Sequence, residues 1–110
     1  MRIVGKKLQQ LGEMLIGKIV PVYETDYDLC PMRTKSAWIG TGEIVNLTVP
    51  KELAMNIRDE GNIKTAHGIF CLVRFTSAAP LHQSKVGQEY ICNVADEDWK
   101  KLVNLDSLKL

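Results

Sequence analysis

The chain has 110 residues, a formal net charge of +1 and apolar residues at 45% of its positions. That apolar fraction is too high, and the charge too small, for a chain that is mainly disordered. A near-neutral balance also argues against a dedicated nonspecific nucleic-acid binder, because such domains carry a clear basic excess. Length and composition predict a single domain over residues 1–110.

The cysteines and the apolar runs predict a compartment. Cys30, Cys71 and Cys92 are odd in number and too widely spaced for a disulfide framework or a zinc knuckle. Cys71 and Cys92 lie within apolar runs, as small core residues do. No signal peptide and no apolar run of membrane-spanning length is evident. These features favour a cytoplasmic protein that does not enter a membrane.

The first third of the chain predicts a helix, an edge strand and a loop. Apolar residues recur on one helical face over residues 4–15, and Gly17 marks a helix stop. Residues 18–23 predict a strand, which Pro21 assigns to a sheet edge because proline cannot donate a ladder hydrogen bond. Residues 24–36 hold several turn formers and predict a loop.

The middle of the chain predicts a long strand followed by a helix. Residues 37–49 form the longest strand candidate, and Gly40 and Gly42 indicate a bend or bulge. Alternation predicts that the core receives Ile39, Val45, Leu47 and Val49, with Trp38 and Ile44 on the opposite side. Pro50 is suited to open a helix over residues 51–60, since its missing N–H has no partner in a first turn.

The last third predicts two strands and a helix. Residues 66–75 are apolar on both faces, which indicates a central strand. Residues 76–87 predict a long loop, a common place for function, and residues 88–94 predict another strand. Asp96 is expected to cap a final amphipathic helix.

The element order α-β-β-α-β-β-α predicts an α+β fold. Its simplest form is a twisted, mostly antiparallel sheet of about four strands with N-terminal, middle and C-terminal helices packed on it. The alternative is a partly closed small β-barrel with a helix inserted before its last two strands.

Residues 44–75 resemble the swapped-hairpin transcription regulators related to bacterial transition-state and antitoxin DNA binders. In that family, a strand leads through an Ile/Val-Pro-Lys-Glu turn to a short helix, a glycine turn and another strand. Here residues 49–53, VPKEL, match the turn, and Gly61 lies near the expected glycine. The resemblance implies DNA binding. Residues 43–48 hold no Lys or Arg, and the helix that follows has a net charge of −1, so core packing is the preferred interpretation of this segment.

Catalytic and metal sites find little support in the sequence. The three cysteines, with His67 and His82, are the parts of a cysteine–histidine pair, but their spacing specifies none. Phosphate-loop, dinucleotide and serine-elbow signatures are absent. Three alternating carboxylates at residues 24–28 are better explained as a solvated acidic loop than as a cation site. We expect no cofactor and no metal, and an enzyme using Cys30 or His82 is the second alternative function.

Binding is the preferred class of function. We expect a small non-enzymatic regulatory protein, of the kind found as an accessory factor in microbes and phages, that acts on an unidentified protein partner. Its predicted contact residues are Tyr27, Arg33, Lys35 and Trp38, since Tyr and Arg are enriched at interface centres. The first alternative is a nucleic-acid-binding regulator that uses the basic N-terminal segment. Its predicted contact residues are Arg2, Lys6, Lys7 and Lys18.

Overall fold

The computed structural model describes residues 5–23, 37–53, 63–65 and 67–103. Its strands are β1 (Ile19–Tyr23), β2 (Trp38–Leu47), β3 (Gly68–Ala78) and β4 (Glu89–Ala95). They form an open antiparallel sheet in the order β1-β2-β3-β4. Helix α1 (Gly5–Leu15) precedes the sheet, and the short helix α2 (Asp96–Trp99) follows it.

The predicted α+β fold with an antiparallel sheet of about four strands is therefore confirmed. The described strands do not close into the alternative barrel, because β1 and β4 are at opposite edges of the sheet and do not pair. Within the same residues, no helix is both long enough and apolar enough to cross a membrane.

Helix α1 ends where the sequence predicted. Leu11 and Leu15 are completely buried on its inner face. Gly17 has a φ of 92°, a left-handed conformation that glycine adopts without strain. Its N–H donates to the carbonyl of Ile44 at 2.8 Å. The glycine thus ends the helix and brings the chain directly into register with the sheet.

Strand β1 lies at the edge of the described sheet, as Pro21 predicted. The N–H of Ile44 donates to the carbonyl of Lys18 at 2.9 Å, and antiparallel pairing then alternates along the strand. By this alternation the nitrogen of Pro21 is directed away from β2. The proline therefore interrupts no ladder bond, and it leaves the free edge one donor short for pairing with another strand.

A bulge in β2 changes which of its side chains enter the core, so part of that prediction was wrong. Ile44 and Asn46 pair with consecutive residues of β3, so Val45 is an extra residue on its strand. Ile44 is completely buried and Val45 only half-buried, the reverse of the prediction. Because the bulge shifts the alternation by one residue, Leu47 and Val49 are nevertheless buried, as expected.

Two segment boundaries also differ from the prediction. Strand β3 continues to Ala78, so the loop predicted over residues 76–87 was wrong for its first three residues. Most of the remainder is a 3-10 turn, Pro80–Lys85. The middle helix begins as a 3-10 turn, Lys51–Leu53, and residues 54–60 lie outside the described residues.

Candidate partner-binding face

The predicted contact residues fall mostly outside the described part of the chain. Tyr27, Arg33 and Lys35 belong to residues 24–36, which the structure does not describe, and Arg2 is outside it as well. Trp38 opens β2 and is 41% exposed. It is therefore the one predicted partner contact whose surroundings are described.

The predicted basic contacts lie at opposite ends of α1. Lys6 and Lys7 occupy its first turn, and Lys18 follows its last turn and is exposed. At 1.5 Å per residue, the helix separates the two groups by roughly 15 Å. The described backbone therefore does not gather these lysines into one cluster.

The side of the sheet that faces away from the core carries a set of apolar side chains, which we call the outer face. Residues of β1 alternate between buried and exposed, so Val20 and Val22 enter the core while the others face outward. Tyr23 pairs directly with Trp38, which places both rings on the same side. The members of the outer face are Ile19, Pro21, Tyr23 and Trp38.

The outer face is exposed and locally ordered. Ile19 is 52% exposed, and Pro21 and Tyr23 are half-buried. The indole N–H of Trp38 donates to the hydroxyl of Thr41 at 3.2 Å, which fixes the ring against its own strand. An apolar surface of this kind is typical of an interaction site when its members are contiguous.

A row of charged residues crosses the sheet beside the outer face. Glu43 of β2 lies opposite Ile19 on one side and Arg74 of β3 on the other, and Arg74 lies opposite Glu89 of β4. Two guanidinium nitrogens of Arg74 donate to the same Glu89 oxygen, at 2.7 and 3.2 Å. The row therefore has one cation and two carboxylates, and the cation is bound to Glu89.

The 3-10 turn at Pro80–Lys85 adds a second exposed apolar group at the Trp38 end of the sheet. Leu81 is 94% exposed. The N–H of Ala79 donates to the carbonyl of Ile39 at 2.9 Å, which ties the turn to the residue after Trp38. Gln83 also donates from its side chain to the carbonyl of Ala78. Leu81 is thus presented by a hydrogen-bonded turn.

At the opposite end of the sheet lies a polar network that the sequence did not reveal. Asp96 was expected to cap α2, but Ala95 occupies the cap position. The Asp96 carboxylate instead accepts from the indole N–H of Trp99 at 2.8 Å and from Lys64 Nζ at 3.2 Å. Asp96 therefore joins residues 63–65 to α2. Lys64 and Asp96 are 32 residues apart, so no local pattern in the sequence indicates this pair.

A buried amide belongs to the same end. Asn93 is 1% exposed, and its Oδ1 lies 3.1 Å from the hydroxyl of Thr65, while its Nδ2 has no hydrogen-bond partner among the described residues. The Thr65 hydroxyl also accepts from the N–H of Gly68 at 2.9 Å. Since the Nδ2 atom is inaccessible to solvent, the amide organises the chain locally and offers no open binding group.

Of the groups suggested for catalysis, Cys30 lies outside the described residues, and His82 lies in the 3-10 turn at Pro80–Lys85. Cys71 and Cys92 are directly opposite on β3 and β4 and completely buried. Burial raises the pKa of the Cys71 thiol, and the neighbouring Cys92 raises it further. Such a thiol is a poor nucleophile. The described part of the chain also has no group of three residues suited to hold a metal ion.

Comparison with known proteins adds no relative. No protein-family model, no curated protein and no solved structure matches this chain. The resemblance to swapped-hairpin regulators therefore rests on the turn at residues 49–53 and on Gly61.

Proposed function

We propose that the chain is a small non-enzymatic binding protein that docks a protein partner on its outer face. The observation that carries this proposal is the exposure of Ile19 and Trp38, at 52% and 41%, on the same side of one strand pair. Tryptophan and tyrosine dominate the binding energy of many protein interfaces because they bury a large area with few rotatable bonds.

Three further features support docking at this place. The Trp38–Thr41 hydrogen bond holds the indole against its own strand, so little side-chain entropy is lost on binding. Leu81 lies in a turn at the same end of the sheet. The described chain stops at Tyr23 and resumes at residue 37 at this end of the sheet, and the sequence between them contains the predicted contacts Tyr27, Arg33 and Lys35.

Nucleic-acid binding is the alternative, and the outer face does not favour it. The charged row beside this face has two carboxylates to one guanidinium, which would repel a phosphate backbone. A nucleic acid would therefore use the separate lysines of α1. Titration with labelled DNA and RNA at two salt concentrations tests this alternative, and the absence of binding at low salt would remove it.

The proposal is tested by affinity capture from an extract of the native host. We expect Trp38→Ala to lose a protein that the wild type retains, because truncating a central aromatic contact weakens binding by about 30-fold or more. Val86→Ser is the matched control, since Val86 is similarly exposed but lies outside the outer face. If every captured protein is retained by Trp38→Ala, the outer face is not the docking site.

Residues 24–36 need a separate test. Arg33→Glu combined with Lys35→Glu is expected to weaken binding of the captured partner without a change in melting temperature beyond a degree or two, as is usual for exposed substitutions. Unchanged binding would restrict the contact surface to the described strands.

A further inference from the structure

One carboxylate, that of Glu43, borders the outer face. Glu43 is half-buried and lies directly opposite Ile19. Its cross-strand neighbour Arg74 is bound to Glu89 through two nitrogens. No ion pair of Glu43 exists among the described residues, so its carboxylate borders the apolar surface without a cation.

The position of this carboxylate is set by the chain around it. A Cβ placed on Gly17 would be 4.0 Å from Glu43 Oε1, so the carboxylate is directed toward the beginning of β1. Lys18 is exposed beside that glycine, but its amine makes no ion pair with Glu43. A cation brought by a partner would therefore reach an oxygen that forms no ion pair within the described part of the chain.

We propose that the outer face binds a protein segment in which a lysine or arginine is flanked by apolar side chains. The apolar side chains would pack on Ile19, Pro21 and Trp38, and the cation would pair with Glu43. Partial desolvation by the apolar neighbours strengthens such a pair relative to one in open water. This inference rests on the proposed function, because it names the partner chemistry of the same surface.

The chemistry also favours side-chain recognition over strand addition. The free edge of β1 lacks one donor at Pro21, which interrupts a backbone ladder with an incoming strand. A segment lying across the face, held by its side chains, needs no such ladder. The register of the partner would then be fixed by the distance between its cation and its apolar groups.

The test selects short random peptides, displayed on phage, against the immobilised protein, and removes those that also bind Trp38→Ala. Synthetic copies are then measured by fluorescence polarisation against the wild type, Glu43→Gln and Glu43→Lys. We expect a basic residue between apolar residues in the selected peptides. We also expect about tenfold weaker binding to Glu43→Gln, and a larger loss for Glu43→Lys. Glu52→Lys is the control, since Glu52 is exposed on the 3-10 turn at Lys51–Leu53.

Charge reversal separates recognition from a structural effect of the substitution. A peptide whose basic residue is changed to glutamate should regain binding to Glu43→Lys, which a merely misfolded variant could not provide. Peptides that require Trp38 but bind Glu43→Gln and Glu43→Lys as tightly as the wild type would overturn this inference and leave the proposed function standing. The absence of any Trp38-dependent peptide would overturn both. If sedimentation shows a wild-type dimer where Trp38→Ala is a monomer, that result would assign the outer face to a second copy of the chain and would also overturn the inference.

Discussion

Gly68→Ala should destabilise the protein, although it adds a single methyl group. Gly68 is the first residue of β3 and pairs with Ala95 of β4. An added Cβ would clash with the carbonyl oxygen of Val94 and with Oδ1 of Asn93. Both contacts would be far shorter than van der Waals separation. The first is with a backbone atom, which cannot move aside as the end of a side chain can. The substitution must therefore displace β4 or the Asn93 side chain.

The magnitude follows from these two contacts. Overpacking of a dense interior costs about 1–3 kcal/mol. Moving Asn93 would also break its contact with the Thr65 hydroxyl, which is worth about 1 kcal/mol. We expect the free energy of unfolding to fall by about 2–4 kcal/mol. The melting temperature of a chain of this length should then fall by roughly 4 °C for each kcal/mol.

Gly12→Ala provides the matched control because the same chemical change has the opposite expected sign. Its Cβ would meet Ile16 at 3.7 Å, an ordinary contact, and alanine in a helix interior is favoured over glycine by about 1 kcal/mol. Urea unfolding followed by tryptophan fluorescence measures both variants, with the fully buried Trp99 as the main reporter. A Gly68→Ala variant as stable as the wild type would refute the close approach of β3 and β4.

The remaining predictions separate surface from buried interactions. Asp96→Ala should lower the free energy of unfolding by about 2–4 kcal/mol, because it removes the acceptor of the buried Trp99 indole and the ion-pair partner of Lys64. Arg74→Ala should cost under about 1 kcal/mol, since its pair with Glu89 is exposed; denaturant unfolding measures both, and equal losses would contradict the assignment. Burial raises the folded-state pKa of Cys71 above its ordinary value of 9.0, so the unfolded chain releases this proton first. Below pH 9 the difference in unfolding free energy between the wild type and Cys71→Ala should not change with pH. Above pH 9 the wild type should lose up to about 1.4 kcal/mol per pH unit relative to Cys71→Ala. A difference in unfolding free energy that stays constant above pH 9 in urea unfolding would contradict this.

The elements that the sequence predicted correctly are those that local pattern determines. Alternation and apolar runs located all four strands, and Pro21 placed β1 at the edge because a missing donor has a direct meaning in a ladder. The bulge at Val45 has no such mark, since it depends on the pairing of β2 with β3. Thr76 and Ser77 are polar and exposed, which is typical of a loop, although both lie within β3 and Ser77 pairs with Thr41 of β2.

The candidate site was predictable only in part, for the same reason. Trp38 was identified as a large aromatic residue near basic residues, and it proved to be exposed. Its association with Ile19 and Glu43 requires the register of β1 on β2, which residue types do not specify. The network around Asp96 joins residues 32 positions apart, so a tertiary structure was needed to find it.

The two faces of the sheet explain why binding and stability should be separable in this protein. The inner face carries Ile44, Phe75 and other side chains that have almost no exposed surface, and their burial supplies the stability of the fold. Ile19 and Trp38 lie on the opposite face and keep 52% and 41% of their surface exposed, so their truncation leaves the packing of the inner face in place. Substituting them should therefore leave the unfolding free energy within about 1 kcal/mol of the wild type while changing what the surface can bind. A large loss of stability in Trp38→Ala would show instead that the indole belongs to the core.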